Sequence, residues 1–336
     1  MTHVMVARQD NAGDVLLAGP AVRAVAAHAD RVTMLCGPAG REAAALLPGV
    51  DEVVVQPAEW IAGEPEAVDR DAVLRRVDAL AARGADCALV LTSFHQSPLP
   101  LALLLRMAGV PHIGAISVDY PGSLLDVRHA VPDDVHEVER ALSLAAAMGF
   151  ALPPGDNGRL RVRRPGGFSP GVGHVVVHPG ASVSARAWAP ERHVALVDAL
   201  VAAGRRVVVT GAPSERALTK RVAGGRALDL GGRTSLGELA DVLAGASCLV
   251  AGNTGPAHLA AAVGTPVVSI FAPTVPATRW RPWNVRHELL HIDVPCAGCR
   301  ARECPVPGHP CVDDLAVDDV MAAVARLAGP AEAVAA

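Results

Sequence analysis

The sequence predicts an α/β protein of two doubly wound domains, each with a parallel sheet covered by helices. Three observations lead to this prediction. Short β-rich runs alternate with helical stretches of about 10 to 17 residues, which is typical of repeated βαβ units. The length of 336 residues suits two domains. Hydrophobic residues make up 51% of the chain and aromatic residues only 3%, so Ala, Val and Leu must form the interior, as in sheets buried on both faces.

The first half of the chain carries the first alternating series. Its predicted strands are 3–6, 32–35, 52–55, 87–91 and 112–116. The predicted helices between and after them are 14–28, 41–47, 67–83, 99–107 and 133–148. Because each strand is followed by a helix, the strands are expected to run parallel.

A turn-rich segment separates this series from a second one. Residues 153–173 concentrate Pro, Gly, Asp and Asn, which is typical of a linker. We therefore expect an N-terminal domain over 1–152 and a C-terminal domain over 174–336, whose last helix, 315–328, is in a position to pack back toward the N-terminal domain. The strands expected in the second domain are 175–177, 206–210, 227–230, 247–251 and 266–271.

Composition excludes several classes of partner. The formal net charge is −4 and no block of basic residues occurs, which argues against nucleic acid. No stretch approaches the roughly 18 apolar residues of a membrane span. The N-terminus passes directly into a strand pattern without a signal sequence, so a cytoplasmic protein is expected, for which a peripheral membrane contact remains open.

The most informative stretch of the chain, 248–271, has the pattern strand, turn, helix, strand. Asn253 or Thr254 can cap the helix, and Pro256 suits its first turn, where no amide hydrogen is needed. Gly255 lets the backbone approach a ligand closely. A helix N-terminus behind a parallel strand binds anions. The alternative is an ordinary strand-to-helix turn of an α/β protein.

The loop after the first strand places an acid at the start of a helix. Gly13 is its only glycine, so the G-x-G-x-x-G motif of dinucleotide-binding enzymes is absent. Asp14 follows directly and is a candidate catalytic group, although it can equally be a cap that complements the helix dipole.

Two further loops offer groups for a phosphorylated ligand. Gly180 and Ser182, after the strand at 175–177, can provide backbone and hydroxyl donors, and Arg186 can reach a phosphate. Glu215, in a first helical turn, can accept from ribose hydroxyls. The alternatives are a solvated arginine and a capping glutamate.

Together these motifs resemble glycosyltransferase family 9, the ADP-heptose:lipopolysaccharide heptosyltransferases. The resemblance covers nearly the full chain and is strongest from 178 to 311. The residues that carry it are Gly13-Asp14-Val15-Leu16, His178-Pro-Gly-Ala-Ser182 followed by Arg186 and Trp188, Gly211 with Glu215, Thr254-Gly-Pro-Ala-His-Leu-Ala260, and Thr265-Pro-Val-Val268 before Pro273-Thr274.

The resemblance implies a GT-B fold, in which two Rossmann-like domains face each other across a cleft. It implies that the N-terminal domain, 1–152, binds mainly the acceptor and that the C-terminal domain, 174–336, binds mainly the nucleotide sugar. It implies Asp14 as catalytic base, Arg186 as the cation at the donor phosphates and Glu215 as the ribose-binding acid. The diphosphate is expected at Thr254, Gly255 and Pro256, and the other donor-binding candidates are Gly180, Ser182, Asn253 and His258. Asn253 stands where family members commonly have aspartate, which leaves the donor sugar open. The acceptor-binding candidates are Asn11, Gly13, Ser93, His95 and Gln96.

The predicted function is therefore inverting, metal-independent transfer of a heptose-like sugar from a nucleoside-diphosphate donor. ADP-heptose is the first choice of donor, and the acceptor is a hydroxyl of a glycan, a lipid-linked molecule or a small molecule. Two alternatives remain, namely a sugar-nucleotide epimerase of the same architecture and a noncatalytic nucleotide-sugar-binding protein.

A cluster of cysteines stands apart from these motifs. Cys296, Cys299, Cys304 and Cys311 have a spacing that resembles a zinc knuckle or a compact disulfide loop. The three hypotheses are a structural zinc ion, a reduced loop and a disulfide, of which the last is disfavoured in the cytoplasm. No cofactor is expected to be required for catalysis.

Overall fold

The chain divides into two compact units, Met1–Arg161 and Val162–Ala336. The computed structural model describes residues 2–329, so Met1 and the end of the predicted C-terminal domain, 330–336, lie outside the described residues. The division falls inside the segment 153–173 that the sequence predicts as a linker. That segment contains no helix or strand.

The first unit contains a parallel sheet with helices along the chain between its strands. Its strands are β1 (His3–Arg8), β2 (Arg31–Cys36), β3 (Glu52–Val55), β4 (Cys87–Val90), β5 (His112–Ile116) and β6 (Val127–His129). Its helices are α1 (Ala12–Leu17), α2 (Gly19–Ala26), α3 (Arg41–Leu46), α4 (Arg70–Ala81), α5 (Leu99–Met107) and α6 (Glu137–Ala147). The strand order is β3-β2-β1-β4-β5-β6, and all pairs are parallel. This is the order of a doubly wound Rossmann fold.

Two features of this unit differ from the sequence-based prediction. The helix expected over 14–28 is two helices that meet at Ala18, because Pro20 lacks an amide hydrogen and clashes with the preceding turn. The short strand β6 was not predicted, since its three residues carry no apolar run. The central strand β1 is buried along its whole length, which suits a strand covered on both faces.

The second unit repeats the architecture of the first. Its strands are β7 (His174–His178), β8 (Val207–Val209), β9 (Leu228–Asp229), β10 (Ala246–Gly252), β11 (Val267–Ile270) and β12 (His287–Leu290). Its helices are α7 (Pro190–Ala202), α8 (Arg216–Ala223), α9 (Leu236–Ala244), α10 (Gly255–Val263), α11 (Ala277–Trp280), α12 (Pro310–Asp313) and α13 (Val317–Ala328). The strand order is β12-β11-β10-β7-β8-β9, again parallel. Counted from the first strand of each unit, the two orders are identical.

The last helix, α13, belongs to the core of the second unit. It buries Val320, Val324 and Leu327 together with Val268 of β11, and a contact of 315–328 with the N-terminal domain stays a prediction. The apolar face of α13 completes the cover of this sheet. Among residues 2–329, no helix has both the length and the apolar character that crossing a membrane requires.

Candidate functional site

In each sheet the chain reverses its direction of winding between two neighbouring strands. This switch point lies between β1 and β4 in the first unit and between β7 and β10 in the second. Ligands of doubly wound sheets bind beyond the carboxyl ends of the strands at such points. The predicted site residues follow these four strands, except Glu215, which follows β8.

The switch point of the first unit is organised by Arg8, the last residue of β1. Its Nε lies 2.7 Å from Asp10 Oδ2, and its two Nη atoms lie 3.1 Å from Glu137 Oε2 and 3.1 Å from Asp14 Oδ1. Nη2 also donates to Ser93 Oγ at 2.9 Å. Burial alone would lower the pKa of Arg8, but the surrounding carboxylates outweigh it and raise the pKa above its ordinary value.

The carboxylates around Arg8 differ in their access to solvent. The side chains of Asp10 and Glu137 are 4% and 1% exposed, whereas that of Asp14 is 18% exposed. Asp10 also accepts from Gln96 Nε2 at 2.6 Å, and Glu137 also lies 3.3 Å from Arg140 Nε. Asp14 is therefore the carboxylate of this network that a ligand can reach.

The predicted acceptor-binding residues of the first unit fall into two groups. Ser93 and Gln96 belong to the buried network, because the Ser93 hydroxyl donates to Asp10 Oδ2 at 3.2 Å and Gln96 binds the same carboxylate. The other candidates lie elsewhere: Asn11 is the exposed N-cap residue of α1, Gly13 is buried within that helix, and His95 is exposed against Phe94.

In the second unit, Glu215 lies between the ends of β7 and β8. A Cβ atom on Gly180 would stand 2.1 Å from Glu215 Oε1, so only glycine leaves room for this carboxylate. Glu215 Oε2 accepts from the Ala212 amide at 2.7 Å and lies 3.9 Å from Nε2 of His178. The helix α8 begins directly after Glu215 and carries the exposed Lys220, the one lysine of the sequence, in its last turn.

The histidine beside Glu215 is buried. Burial lowers the pKa of His178, and the Glu215 carboxylate opposes this shift. His178 Nδ1 and the Thr210 hydroxyl are 3.0 Å apart. Burial and the neighbouring His178 together lower the pKa of His193 to about 3. We therefore expect both imidazoles to be neutral at pH 7, so the negative charge of Glu215 remains available to a ligand.

The predicted phosphate-binding groups of this unit meet at the end of β10. Arg186 ends a 3-10 turn over 184–186, and a Cβ atom on Gly252 would lie 3.1 Å from the Arg186 carbonyl oxygen. Thr254 is the extended N-cap residue of α10, and Gly255 and Pro256 form the first turn. The structure thus brings the arginine turn against the strand that leads into the helix N-terminus.

Three other donor-binding candidates differ in exposure. Ser182 is exposed, whereas Asn253 and His258 are buried, His258 within the body of α10. Asn253 Oδ1 has no hydrogen-bond partner among the described residues. A buried carbonyl oxygen without a partner is costly, so this atom is available to a bound donor.

The cysteine segment packs against the arginine turn. The Ala185 amide donates to the carbonyl oxygen of Arg302 at 3.0 Å, and His309 Nε2 lies 3.1 Å from the Ala185 carbonyl oxygen. All seven cysteines are free thiols. Burial, followed by the nearby thiols of Cys304, Cys296 and Cys299, raises the pKa of Cys311 to about 11. Within residues 2–329 no group of ligating side chains is arranged to hold a metal ion, and the zinc, reduced-loop and disulfide hypotheses stay predictions.

Sequence reasoning missed the Arg8 network. Glu137 lies 129 positions from Arg8 and was interpreted only as part of a helix. One signal was available, since an arginine that ends a largely apolar strand must be paired when it is buried. The residues of the network that were not singled out are Arg8, Asp10, Glu137 and Arg140.

Comparison with known proteins links this geometry to one family. A sequence model described as glycosyltransferase family 9 (heptosyltransferase) matches residues 73–309. Lipopolysaccharide heptosyltransferase 3 of Escherichia coli is 32% identical over 148 residues, which cover 42% of this chain and 43% of that protein. Lipopolysaccharide heptosyltransferase 1 of Pseudomonas aeruginosa is 34% identical over 175 residues, which cover 50% of this chain and 48% of that protein. The chain therefore spans about half the length of these relatives.

A solved structure resembles the whole chain. The structure of E. coli ADP-heptose lipopolysaccharide heptosyltransferase II has a TM-score of 0.75 to this chain at 17% identity, and the match covers 98% of both chains. This likeness confirms the predicted fold class, a GT-B fold built from Rossmann-like units.

Proposed function

The chain belongs to glycosyltransferase family 9, and from this membership we propose that it transfers a heptose from ADP-heptose to a hydroxyl group of a glycan in lipopolysaccharide synthesis. The observation that supports the proposal most directly is the family match over 73–309, which includes Arg186, Glu215 and Thr254. Asp14 lies outside the matched range, so its role rests on its position in the Arg8 network and on the sequence motif around it.

We propose that the second unit binds the nucleotide sugar. Arg186 and the N-terminal amides of α10 would stabilise the negative charge that develops on the departing diphosphate. Each preorganised contact of this kind contributes on the order of 2 to 4 kcal/mol. Glu215 would accept hydrogen bonds from the ribose hydroxyls. With these charges in place, the transfer would need no metal ion.

We propose that the first unit activates the acceptor. Asp14 would orient the acceptor hydroxyl and take its proton while the oxygen attacks the anomeric carbon. A single in-line displacement breaks the bond to the diphosphate on the opposite side of the sugar, so the configuration at the anomeric carbon inverts. Catalysis would then consist mainly of placement and charge stabilisation.

Asn253 bears on the choice of donor sugar. Its buried amide oxygen has no partner among the described residues and can accept from a sugar hydroxyl. An amide is neutral, whereas the aspartate common at this position in the family is charged. ADP-heptose is the first choice of donor because the chain belongs to the family. Other nucleotide sugars are to be tested beside it because Asn253 lacks the charge of the aspartate.

The location of the reaction is part of the proposal. We propose the cytoplasm, a reducing compartment in which the cysteine segment would keep its thiols. A lipid-linked acceptor would be reached through a peripheral contact with the membrane, and a soluble glycan would need none.

A two-step experiment tests the function. Purified protein is first screened by thermal shift against ADP-heptose, other ADP sugars and UDP sugars, where a donor at 100 times its Kd stabilises the fold by about 2.7 kcal/mol. Release of ADP is then measured with lipopolysaccharide core acceptors. We expect stabilisation by ADP-heptose and ADP release that requires an acceptor. Conversion of the donor alone to an isomer, or binding without release in every mixture, would contradict the proposal.

A further inference from the structure

The buried network around Arg8 has a geometry that the transfer reaction can use. We propose that Arg8 is a positioning residue, which holds the Asp14 carboxylate in one orientation for the acceptor hydroxyl and is itself locked by Asp10 and Glu137. The inference rests on the proposed function, because it assigns Arg8 a role that acts through Asp14.

The first step of the argument is the shape of the guanidinium group. Its nitrogen atoms are fixed in one plane, and each nitrogen forms an ion pair with a different carboxylate. Nε pairs with Asp10, Nη1 with Glu137 and Nη2 with Asp14. Because the planar guanidinium is already paired with Asp10 and Glu137, it cannot rotate. The Asp14 carboxylate beside Nη2 is therefore held in one orientation. An ammonium group on a flexible stem would keep the charge and lose this orientation.

The second step is the location in the fold of the residues that Arg8 contacts. Asp10 follows β1, Asp14 stands in the first turn of α1, and Glu137 is the first residue of α6. Ser93, in the turn after β4, accepts from Arg8 and donates to Asp10. Arg8 therefore fixes α1 relative to both strands of the switch point and to a helix that lies far away in the sequence.

The third step is the burial of Arg8 and of the two carboxylates that hold it, Asp10 and Glu137. The Arg8 side chain is 3% exposed, and a guanidinium this deeply buried remains in a fold only when its ion pairs are well formed. Asp10 also accepts a hydrogen bond from Gln96, and Glu137 forms a second ion pair, with Arg140. These two carboxylates hold Arg8, and the more exposed Asp14 meets the acceptor.

The test is a double-mutant cycle between Arg8→Lys and Asp14→Asn. The readouts are kcat for ADP release from ADP-heptose with lipopolysaccharide core acceptor, and KM for the donor. We expect Arg8→Lys to lower kcat about 10- to 100-fold, since a misplacement of about 1 Å costs up to this factor, with KM for ADP-heptose unchanged. In the Asp14→Asn background, Arg8→Lys should lower kcat less than twofold, because the Asp14 carboxylate through which Arg8 acts is already absent.

A milder variant and a matched control complete the experiment. Ser93→Ala removes one hydrogen bond to Arg8 and should lower kcat a few-fold without a change in acceptor KM. Arg23→Lys alters another buried guanidinium of the same unit, which pairs with Asp156, and should leave kcat unchanged. The inference would be overturned if Arg8→Lys lowered kcat by the same factor in the wild-type and the Asp14→Asn backgrounds, or if it did not change kcat at all.

A crystal structure of Arg8→Lys separates this inference from the proposed function. We expect the Asp14 carboxylate to leave its place beside residue 8 and adopt another rotamer. If that displacement is seen and the wild-type protein releases no ADP from any donor, Arg8 still positions the Asp14 carboxylate and the proposed function fails. An unmoved Asp14 carboxylate would overturn the positioning role whatever the activity.

Discussion

Asp14 stands where two neighbours favour a negative charge, the first turn of α1 and the guanidinium of Arg8. A strong base would instead need surroundings that favour the protonated form. We therefore expect proton transfer to Asp14 to occur late, after attack on the sugar has begun, so that the carboxylate mainly orients the acceptor hydroxyl.

This role predicts the effect of Asp14→Asn. The amide keeps the size of the side chain but cannot take a proton, so kcat should fall by about two to four orders of magnitude. The Kd for ADP, measured by calorimetry, should stay the same because the proposed donor-binding groups belong to the second unit. Asp71→Asn, at an exposed ion pair of α4, serves as control. Near-normal turnover in Asp14→Asn would refute the assignment.

A second residue-scale prediction concerns Gly180. Because its added Cβ would meet the tip of the Glu215 side chain and no backbone atom among its nearest contacts, Gly180→Ala should displace the carboxylate and leave the protein folded. Donor KM should rise about tenfold, as for the loss of one charged hydrogen bond. In a Glu215→Ala background the same substitution should have no further effect on KM. A further rise in KM there would show that Gly180 binds the donor directly.

Among the elements, most strands and most helices were predictable because apolar runs and turn residues are local signals. The exceptions have physical reasons. Pro20 divides the expected helix 14–28, and β6 is too short and too polar to give a pattern. The strand β12 was not predicted either, because only two of its four residues are apolar. The Arg8 network was not predictable, because a pair such as Arg8 and Glu137 depends on the strand order rather than on any local pattern.

One contact between side chains holds the last segment of the first unit against α2. Asp156, in the segment predicted as a linker, binds Arg23 of α2 through both carboxylate oxygens at 2.6 and 3.0 Å. The hydrogen bonds from Arg23 lower the pKa of Asp156 from 3.8 to about 2. The segment therefore begins as a packed part of the first unit, although it has no helix or strand.

This contact predicts a stability change with a defined pH window. Asp156→Asn should lower the free energy of unfolding of the first unit by about 2 kcal/mol at pH 7, measured by urea denaturation. The folded pKa lies below the unfolded one, so the contribution is complete above pH 3.8 and is lost as the pH falls through about 2. At pH 2 the variant and the wild type should therefore approach each other. Asp71→Asn should show a much smaller loss at pH 7.

At the scale of the whole molecule, the two units have the same strand order, which places their candidate groups at equivalent switch points. The doubly wound class followed from the sequence, because alternating strands and helices allow few other solutions. The sequence also indicated Asp14, Arg186, Glu215 and Thr254, since each follows a strand. It did not show that Glu215 fills the space above Gly180, because that contact needs the side-chain packing.

Four histidines make the fold less stable in acid. Burial is the largest cause that lowers the pKa of the half-buried His129 and of the buried His174, His178 and His193. Protonation therefore favours the unfolded chain, and the stability that neutral imidazoles contribute is complete above pH 6.5 and falls as the pH drops below that value.

The acid response can be measured on one of these side chains. His193 has an ordinary pKa of 6.5 and a folded pKa of about 3, so between these values it should contribute a slope of about 1.4 kcal/mol per pH unit. His193→Gln should flatten the plot of unfolding free energy against pH between pH 4 and 6. An unchanged slope in His193→Gln would contradict the burial argument.

The exposed Lys220 on α8 offers a route to measuring ligand binding. Lys220 is the one lysine of the sequence, so an amine-reactive fluorophore can attach to the side chains of this protein at Lys220 alone, besides the terminal amine. The dye would sit on the helix that begins directly after Glu215, so we expect its emission to change when a nucleotide sugar occupies the proposed binding site.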